Sequence, residues 1–309
     1  MNRMSPISQS TKGPTPDQKG ILDVRPLHDA EFDGIWESLL LPSGLKDRLL
    51  AQAVLNFTAR PKLQKAFLPM HGIILLVGPP GTGKTSLARG LASRTAASLG
   101  CHMTFIEVDP HALASASLGK SQQAVTHLLG SVIGDAARAG PCIVLLDEVE
   151  TLAADRRKMS MEANPVDVHR ATDAVLTQLD QLAADNGQLL FIATSNFAGA
   201  IDDAFLSRAD LVVTVDLPSA QACRAILLDT LDRIAQAYPK VAQLKSHTLI
   251  DQAAMHAVGL DGRRIRKAVL SSLAHSKEIA SNPEILTAQA VLESLRQAQT
   301  ERGKLEDRS

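Results

Sequence analysis

The chain has 309 residues and a mass of 33.0 kDa, which is enough for a large and a small domain, each with its own core. Its 45% hydrophobic and 21% charged residues are typical of a globular protein and exclude a disordered or fibrous chain. The formal net charge of -1 supplies no general attraction to a phosphate backbone, which argues against a nucleic-acid partner.

The first part of the chain is predicted to contain a flexible leader and a helical segment. Residues 1–20 are rich in Pro, Ser, Thr and Lys and include no apolar stretch that resembles a signal peptide. No apolar run of the chain approaches the length of a membrane span. We therefore expect a cytoplasmic protein with no membrane partner. Residues 21–70 carry apolar residues at helical spacing, which predicts a mainly helical segment.

From residue 71 onwards, short apolar runs alternate with helical stretches. The runs are 73–77, 104–108, 143–146, 189–193 and 211–215. The alternation predicts an α/β domain over residues 71–217, with a five-stranded parallel sheet flanked by helices. After residue 217 the pattern contains helices only, which predicts a small helical lid domain over residues 218–300 and a flexible tail over 301–309.

A phosphate-binding loop, or P-loop, follows the first of these runs. Gly78-Pro79-Pro80-Gly81-Thr82-Gly83-Lys84-Thr85 matches the pattern G-x-x-x-x-G-K-[ST] at every fixed position and precedes a predicted helix. The glycines allow backbone N–H groups to surround phosphate oxygens. Lys84 is expected to contact the β- and γ-phosphates, and Thr85 is expected to bind Mg²⁺. Ser86 completes the predicted cofactor-binding residues.

Two acidic residues follow the third run. Asp147 and Glu148 come directly after the apolar segment 142–146, at the edge of the sheet where open α/β proteins bind ligands. Asp147 is expected to hold Mg²⁺, and Glu148 is expected to polarise the attacking water. One further strand lies between the P-loop strand and this one, and no Asn-Lys-x-Asp segment for reading guanine is present. ATP is therefore preferred over GTP.

Asn196 follows the next run, in Thr194-Ser195-Asn196. Its amide resembles the sensor 1 group that orients the attacking water and senses the γ-phosphate. The alternative is an asparagine that caps the turn at the end of a strand.

Several segments of the chain resemble one family of ATPases. They are Ile35-Trp36-Glu37-Ser38-Leu39, Asp147-Glu148-Val149-Glu150-Thr151-Leu152, Ala174-Val175-Leu176-Thr177-Gln178-Leu179-Asp180, Thr194-Ser195-Asn196, Arg208-Ala209-Asp210 and Gly259-Leu260-Asp261-Gly262-Arg263. The full set of motifs is similar to AAA+ ATPases, and these segments resemble the pachytene-checkpoint family of that class. The resemblance covers roughly residues 32–280.

The resemblance implies roles for two arginines. Arg208 resembles the finger that an AAA+ subunit presents to the γ-phosphate of its neighbour, so hydrolysis would require an oligomer. The alternative is a surface arginine paired with Asp202 or Asp210. Arg263 is a candidate sensor 2 residue that acts on the nucleotide of its own subunit, and Arg264 is a rival for the same role.

The pachytene-checkpoint family unfolds part of HORMA-domain proteins and detaches them from their partners. The resemblance therefore implies a Mg²⁺-dependent, ATP-driven homohexamer whose partners are a HORMA-domain protein and its complex with a nucleotidyltransferase. About seventy residues precede the P-loop strand. This short form is similar to bacterial members from cyclic-oligonucleotide antiphage signalling systems (CBASS).

The resemblance also predicts two loops that line a central pore. In the first loop, Ser117, Leu118 and Gly119 stand where family members often carry an aromatic residue. Leu118 then provides the apolar grip, which favours brief unfolding of a terminal segment over processive threading. Residues 156–165 would form the second loop, with methionines as adaptable contacts. Either segment could instead be an ordinary surface loop.

Two other functions stay open at this point. The chain could be an AAA+ switch or scaffold for DNA-associated machinery, in which ATP binding matters more than unfolding. The near-neutral charge argues against that function. It could also remodel an unrelated protein target.

Overall fold

Among the residues that the computed structural model describes, six strands form one sheet. The structure describes Thr15, Phe67, Gly199 and residues 18–63, 70–109, 120–151, 165–197 and 201–306. The strands are β1 (Ile21–Leu27), β2 (Ile73–Val77), β3 (Met103–Val108), β4 (Cys142–Leu146), β5 (Leu189–Ser195) and β6 (Leu211–Thr214). Their spatial order is β1-β3-β4-β5-β2-β6.

The central strands are buried on both faces, as is usual when helices cover a parallel sheet. Every residue of β2, β4 and β5 is buried. β3 pairs with β4, and β4 with β5, in the parallel direction. The helices between the strands are α3 (Lys84–Leu99), α4 (Lys120–Val125), α5 (Gly134–Ala139), α6 (Pro165–Asp185) and α7 (Asp203–Leu206). The predicted α/β class is therefore confirmed.

The N-terminal segment differs from the prediction. Residues 21–70 are predicted to be mainly helical, which is wrong for Ile21–Leu27, because these residues form β1 and pair antiparallel with β3 at the edge of the sheet. The sheet therefore has one strand more than the five expected. Pro26 weakens the strand pattern in the sequence, but an edge strand tolerates a residue without an N–H group. Helices α1 (Ala30–Ser38) and α2 (Leu45–Thr58) agree with the helical prediction.

The C-terminal part of the described chain is helical, as predicted. Its helices are α8 (Ala220–Ala237), α9 (Thr248–His256), α10 (Gly262–Ser271), α11 (Lys277–Ser281) and α12 (Ala288–Glu306). They enclose one cluster of buried apolar side chains, which includes Leu227, Ile250, Ile265 and Val291. None of the helices in the described ranges combines the length and the apolar character of a membrane span.

The described residues divide into two compact units, and the division is not contiguous along the chain. The first unit falls within Met1–Gly34, Asp47–Leu76 and Ala88–Val213, and the second falls within Ile35–Lys46, Val77–Leu87 and Thr214–Ser309. Residues 35–46 and 77–87 belong to the second unit together with the helical C-terminal part, and the predicted domain bounds stay a prediction. Gly78 lies against Val215 and Gly81 lies against Asp261, which accounts for the grouping of residues 77–87.

A buried arginine joins several elements of the first unit. Arg60 is 1% exposed. Its guanidinium donates to the carbonyl oxygens of Leu189 (2.5 Å), Met70 (3.0 Å) and Ala183 (3.1 Å) and to the Asn56 side chain (3.2 Å). Burial lowers the pKa of Arg60, because the charged form loses its hydration. The hydrogen bonds offset this cost and connect the segment after α2 to α6 and β5.

We expect Arg60→Met to lower the free energy of unfolding by about 3 kcal/mol or more, since it removes four hydrogen bonds from a buried site. Urea unfolding followed by circular dichroism measures the change. Arg233→Met is the matched control, because Arg233 is exposed and pairs with Asp229 four residues away. The control should cost about 0.5 kcal/mol or less. Equal effects of the two substitutions would contradict the structural role of Arg60.

Candidate functional site

The P-loop connects the end of β2 to the start of α3, and its glycines adopt conformations that side chains avoid. Gly78, Gly81 and Gly83 have φ angles of 157°, 80° and 93°. A methyl group at Gly78 would lie 2.1 Å from the Val215 carbonyl oxygen, and one at Gly81 would lie 2.3 Å from Asp261 Oδ1. Glycine is therefore required at both positions for steric as well as conformational reasons. A loop of this kind is typical of phosphate binding.

Lys84, the first residue of α3, is folded back onto the P-loop. It is 5% exposed, and its ammonium donates to the carbonyl oxygens of Gly78 (2.8 Å) and Pro79 (2.9 Å). Carbonyl oxygens carry only partial negative charge, so a phosphate would be a stronger partner for the same ammonium. Thr85 and Ser86 follow in the first turn of the helix. The predicted cofactor-binding residues, 78–86, thus run without interruption from the end of β2 into the first turn of α3.

In the first unit, the parallel strands β4 and β5 bring two strand ends together. Leu146 lies opposite Ala193 in their register, so Asp147 and Thr194 follow side by side. The Thr194 hydroxyl donates to Asp147 Oδ1 and accepts from the Glu148 N–H at 3.0 Å. Because Thr194 is 1% exposed, it contacts both acidic residues from inside the protein.

Glu148 and Asn196 are in direct contact. Asn196 Nδ2 donates to Glu148 Oε1 at 3.2 Å. Glu148 is exposed and has a φ angle of 51°. A positive φ is uncommon for residues other than glycine and is found preferentially at functional sites. The structure therefore brings the predicted acid pair and the predicted sensor amide into one cluster, and their catalytic roles stay predictions.

Two residues of this cluster have no predicted role in the sequence. One is Thr194, whose hydroxyl bridges Asp147 and Glu148. The other is Glu150, whose Oε1 accepts from the Asn196 N–H at 3.1 Å. A polar residue directly after a buried strand is the signal that could have identified Thr194. The signal that could have identified Glu150 is its place in the segment Asp147-Glu148-Val149-Glu150, directly after the acid pair.

Arg208 forms an ion pair within the first unit. Its Nε and Nη2 atoms donate to the two carboxylate oxygens of Asp180 on α6, both at 2.7 Å, and Nη1 donates to the Ala204 carbonyl. The hydrogen bonds to Asp180 raise the pKa of Arg208. The sequence names Asp202 and Asp210 as alternative partners, but the bidentate partner is Asp180, from a helix that precedes Arg208 by more than twenty residues.

Asp210 has a different function in the fold. Its carboxylate accepts the N–H groups of His71, Gly72 and Ile73 at 2.9, 2.6 and 3.1 Å. Three backbone donors from the start of β2 therefore occupy the side chain that the sequence offers as a partner for Arg208. The segment that carries the arginine is thereby fixed to the strand that leads to the P-loop.

In the second unit, Asp261 forms the N-terminal cap of α10. Its Oδ1 accepts from the Arg264 N–H at 2.9 Å, and its Oδ2 lies 3.3 Å from Arg264 Nε. Arg263 is exposed. Arg264 is exposed as well and pairs with the cap of its own helix. The assignment of sensor 2 to Arg263 stays a prediction.

Both predicted pore segments lie outside the described residues. Ser117, Leu118 and Gly119 fall in the range 110–119, and the second segment falls in the range 152–164 except for its last residue, Pro165, which begins α6. Their roles stay predictions.

Comparison with known proteins identifies close relatives. The family model of the ATPase family associated with various cellular activities (AAA) matches residues 74–217. CD-NTase-associated protein 6 from Pseudomonas aeruginosa is 52% identical over 292 residues, which cover 93% of this chain and 96% of that protein. The pachytene checkpoint protein 2 homolog of Danio rerio is 32% identical over 80% of this chain and 63% of that protein. The chain therefore spans less than two thirds of that longer relative.

A solved structure shares the fold over nearly the whole chain. The structure of the E. coli MS115-1 HORMA:CdnC:Trip13 complex contains a chain that matches with a TM-score of 0.75, over 93% of this chain and 97% of that one. The sequence identity is 17%, so this likeness concerns the fold alone.

Thr194→Val should lower ATP turnover by about 10- to 100-fold, the size typical for loss of a supporting hydrogen bond at a catalytic site. Valine keeps the shape of threonine but can neither donate to Asp147 nor accept from Glu148. Phosphate release measures turnover, and Thr194→Ser is the matched control because serine retains the hydroxyl. Full activity of the valine variant would show that the hydroxyl is dispensable.

Proposed function

This chain belongs to the AAA family of ATPases, and we propose that it uses ATP to disassemble HORMA-domain protein complexes in bacterial CBASS antiphage signalling. The observation that supports this proposal most strongly is the 52% identity to CD-NTase-associated protein 6 over 96% of that protein. The chain and this relative match along nearly their whole lengths, so the proposal extends to the activity of the whole protein and not only to its nucleotide site.

We assign the nucleotide chemistry to the P-loop and the acidic cluster. The P-loop, Gly78 to Thr85, surrounds the phosphates of ATP, and Lys84 exchanges its carbonyl partners for phosphate oxygens. Glu148 accepts a proton from the attacking water, and Asn196 orients the Glu148 carboxylate through their hydrogen bond at 3.2 Å. Hydrolysis of this kind depends on positioning and on the stabilisation of charge, which a preorganised cluster provides.

The oxygen donors that the sequence predicts, Asp147 and Thr85, suit Mg²⁺. This ion prefers hard oxygen ligands and usually takes one or two from the protein, together with phosphate and water. We propose Asp147 and the Thr85 hydroxyl as the protein donors. Thr194 donates to Asp147 Oδ1 and so orients its carboxylate for such a role. When bound, Mg²⁺ would neutralise negative charge on the phosphates.

We propose that the working form is a homohexamer in which Arg208 reaches the nucleotide of the next subunit. Within one chain its guanidinium is held by both oxygens of Asp180. A bidentate ion pair defines one orientation of an otherwise flexible side chain. Arg263 would contact the nucleotide of its own subunit.

The proposed partners are a HORMA-domain protein and its complex with a nucleotidyltransferase. The relative at 52% identity is named for its association with a CD-NTase. The E. coli structure with the same fold is a complex that includes a HORMA protein and CdnC. We further propose that the reaction takes place in the cytoplasm and that Ser117, Leu118 and Gly119 contact the protein substrate in a central pore.

The remodelling proposal is tested with a purified complex of HORMA protein and nucleotidyltransferase. With ATP, the wild-type chain should separate the complex, as measured by size-exclusion chromatography. Glu148→Gln should bind ATP but turn it over at least about 100-fold more slowly, because it lacks the general base, and should leave the complex intact. A complex that stays intact while the wild-type chain hydrolyses ATP would refute HORMA remodelling.

Salt-sensitive DNA binding with stimulated turnover would instead support the DNA-associated switch.

Arg208→Ala should assemble normally and lose ATP turnover by about 10³-fold, the lower range for loss of a trans arginine finger. Mixing it with Glu148→Gln should restore activity, since each variant supplies the group that the other lacks. Phosphate release measures turnover, and electron microscopy reports ring assembly. Arg224→Ala is the control, because Arg224 is an exposed arginine that pairs with Asp251. A mixture as inactive as its components would contradict action in trans.

A further inference from the structure

We propose that Glu150 is a positioning residue that holds Asn196 against Glu148 and thereby sets the orientation of the general base. The inference rests on the proposed roles of Glu148 and Asn196. Glu150 belongs to the 3₁₀ turn Val149–Thr151 that directly follows Glu148. Its carboxylate takes no part in the proposed steps of ATP hydrolysis.

Two hydrogen bonds link Glu150 to Asn196 and Asn196 to Glu148. Glu150 Oε1 accepts from the backbone N–H of Asn196 at 3.1 Å, and Asn196 Nδ2 donates to Glu148 Oε1 at 3.2 Å. One carboxylate therefore fixes the main chain of Asn196, and the side chain of Asn196 fixes the other carboxylate. Because a hydrogen bond to a charged acceptor is stronger than one between neutral groups, Glu150 suits this role.

The main chain of Glu148 is fixed by other contacts. Its N–H donates to the Thr194 hydroxyl at 3.0 Å, and its carbonyl accepts from the N–H and the hydroxyl of Thr151, both at 3.0 Å. The backbone at Glu148 is thus determined while its side chain is exposed to solvent. The Asn196 amide contacts the exposed carboxylate directly, and so the position of Asn196 affects where the base points.

Packing of the turn does not explain the choice of glutamate. Val149 is fully buried and anchors the turn in the core. Glu150 Oε2, in contrast, is buried with no hydrogen-bond partner among the described residues. A buried acceptor without a donor is costly in a folded protein, so the hydrogen bonding of this oxygen gives no structural reason for a carboxylate here. A residue that costs stability beside a reactive group is typical of a functional requirement.

A double-mutant cycle in the full chain tests the inference. Glu150→Ala should lower kcat for ATP by about tenfold with little change in KM, since it misplaces the base without touching the phosphate-binding loop. In an Asn196→Ala background the same substitution should have no further effect, because the residue through which it acts is gone. Glu150→Gln should restore most of kcat, since its amide oxygen can still accept from the Asn196 N–H.

Controls separate this role from general destabilisation. Glu284→Ala removes a carboxylate that also accepts one backbone N–H, from Lys240 at 2.8 Å, and should leave kcat unchanged. Glu150→Leu removes the acceptor with a side chain that can be buried, in case the alanine variant does not fold. Equal losses of kcat in the wild-type and Asn196→Ala backgrounds would overturn the inference, and so would unchanged kcat in both the alanine and the leucine variants.

The turnover of the single variants distinguishes a failure of the proposed catalytic roles from a failure of the inference about Glu150. If Glu148→Gln or Asn196→Ala alone leaves turnover unchanged, the roles of the base and sensor fail, and the inference about Glu150 fails with them. If both single variants lose turnover and only the coupling with Glu150 is missing, the catalytic roles stand and the positioning role is wrong.

Discussion

The parallel register of β4 and β5 is the constraint on which the acidic cluster depends. Leu146 lies opposite Ala193, so the residues that follow the two strands emerge next to each other. The Thr194 hydroxyl then contacts both Asp147 and the Glu148 N–H. A shift by one residue would exchange the faces of the strand and remove the bridging hydroxyl from the acids. Burial of every residue in both strands holds the register.

Glycine conformation is the corresponding constraint in the second unit. Gly78 lies against Val215, and Gly81 lies against Asp261, which also caps α10. A side chain at either glycine would clash with a neighbour and would strain the backbone. The same contacts that shape the P-loop therefore also explain why residues 77–87 group with the helical C-terminal part.

Two carboxylates, those of Asp180 and Asp210, have different partners in the region around Arg208. Asp180 takes the guanidinium through both oxygens, and Asp210 takes three N–H groups at the start of β2. The first contact orients the side chain, and the second fixes the segment that carries it. Sequence proximity suggested Asp210 as an ion-pair partner, yet the backbone donors of the neighbouring strand occupy it. Glu150 is a parallel case, because its acceptor oxygen serves the main chain of Asn196.

The sequence by itself determined the P-loop, the acid pair, the α/β class and the helical C-terminal part. These features depend on local patterns, namely glycine spacing, apolar runs and helical periodicity, which are legible without contacts. Only the tertiary structure decided the edge strand Ile21–Leu27, because its partner strand β3 is more than seventy residues away in the chain. It also decided the contacts of Thr194, Glu150 and Asp180, because each has a hydrogen-bond partner distant in the chain, and the residue type alone does not specify that partner.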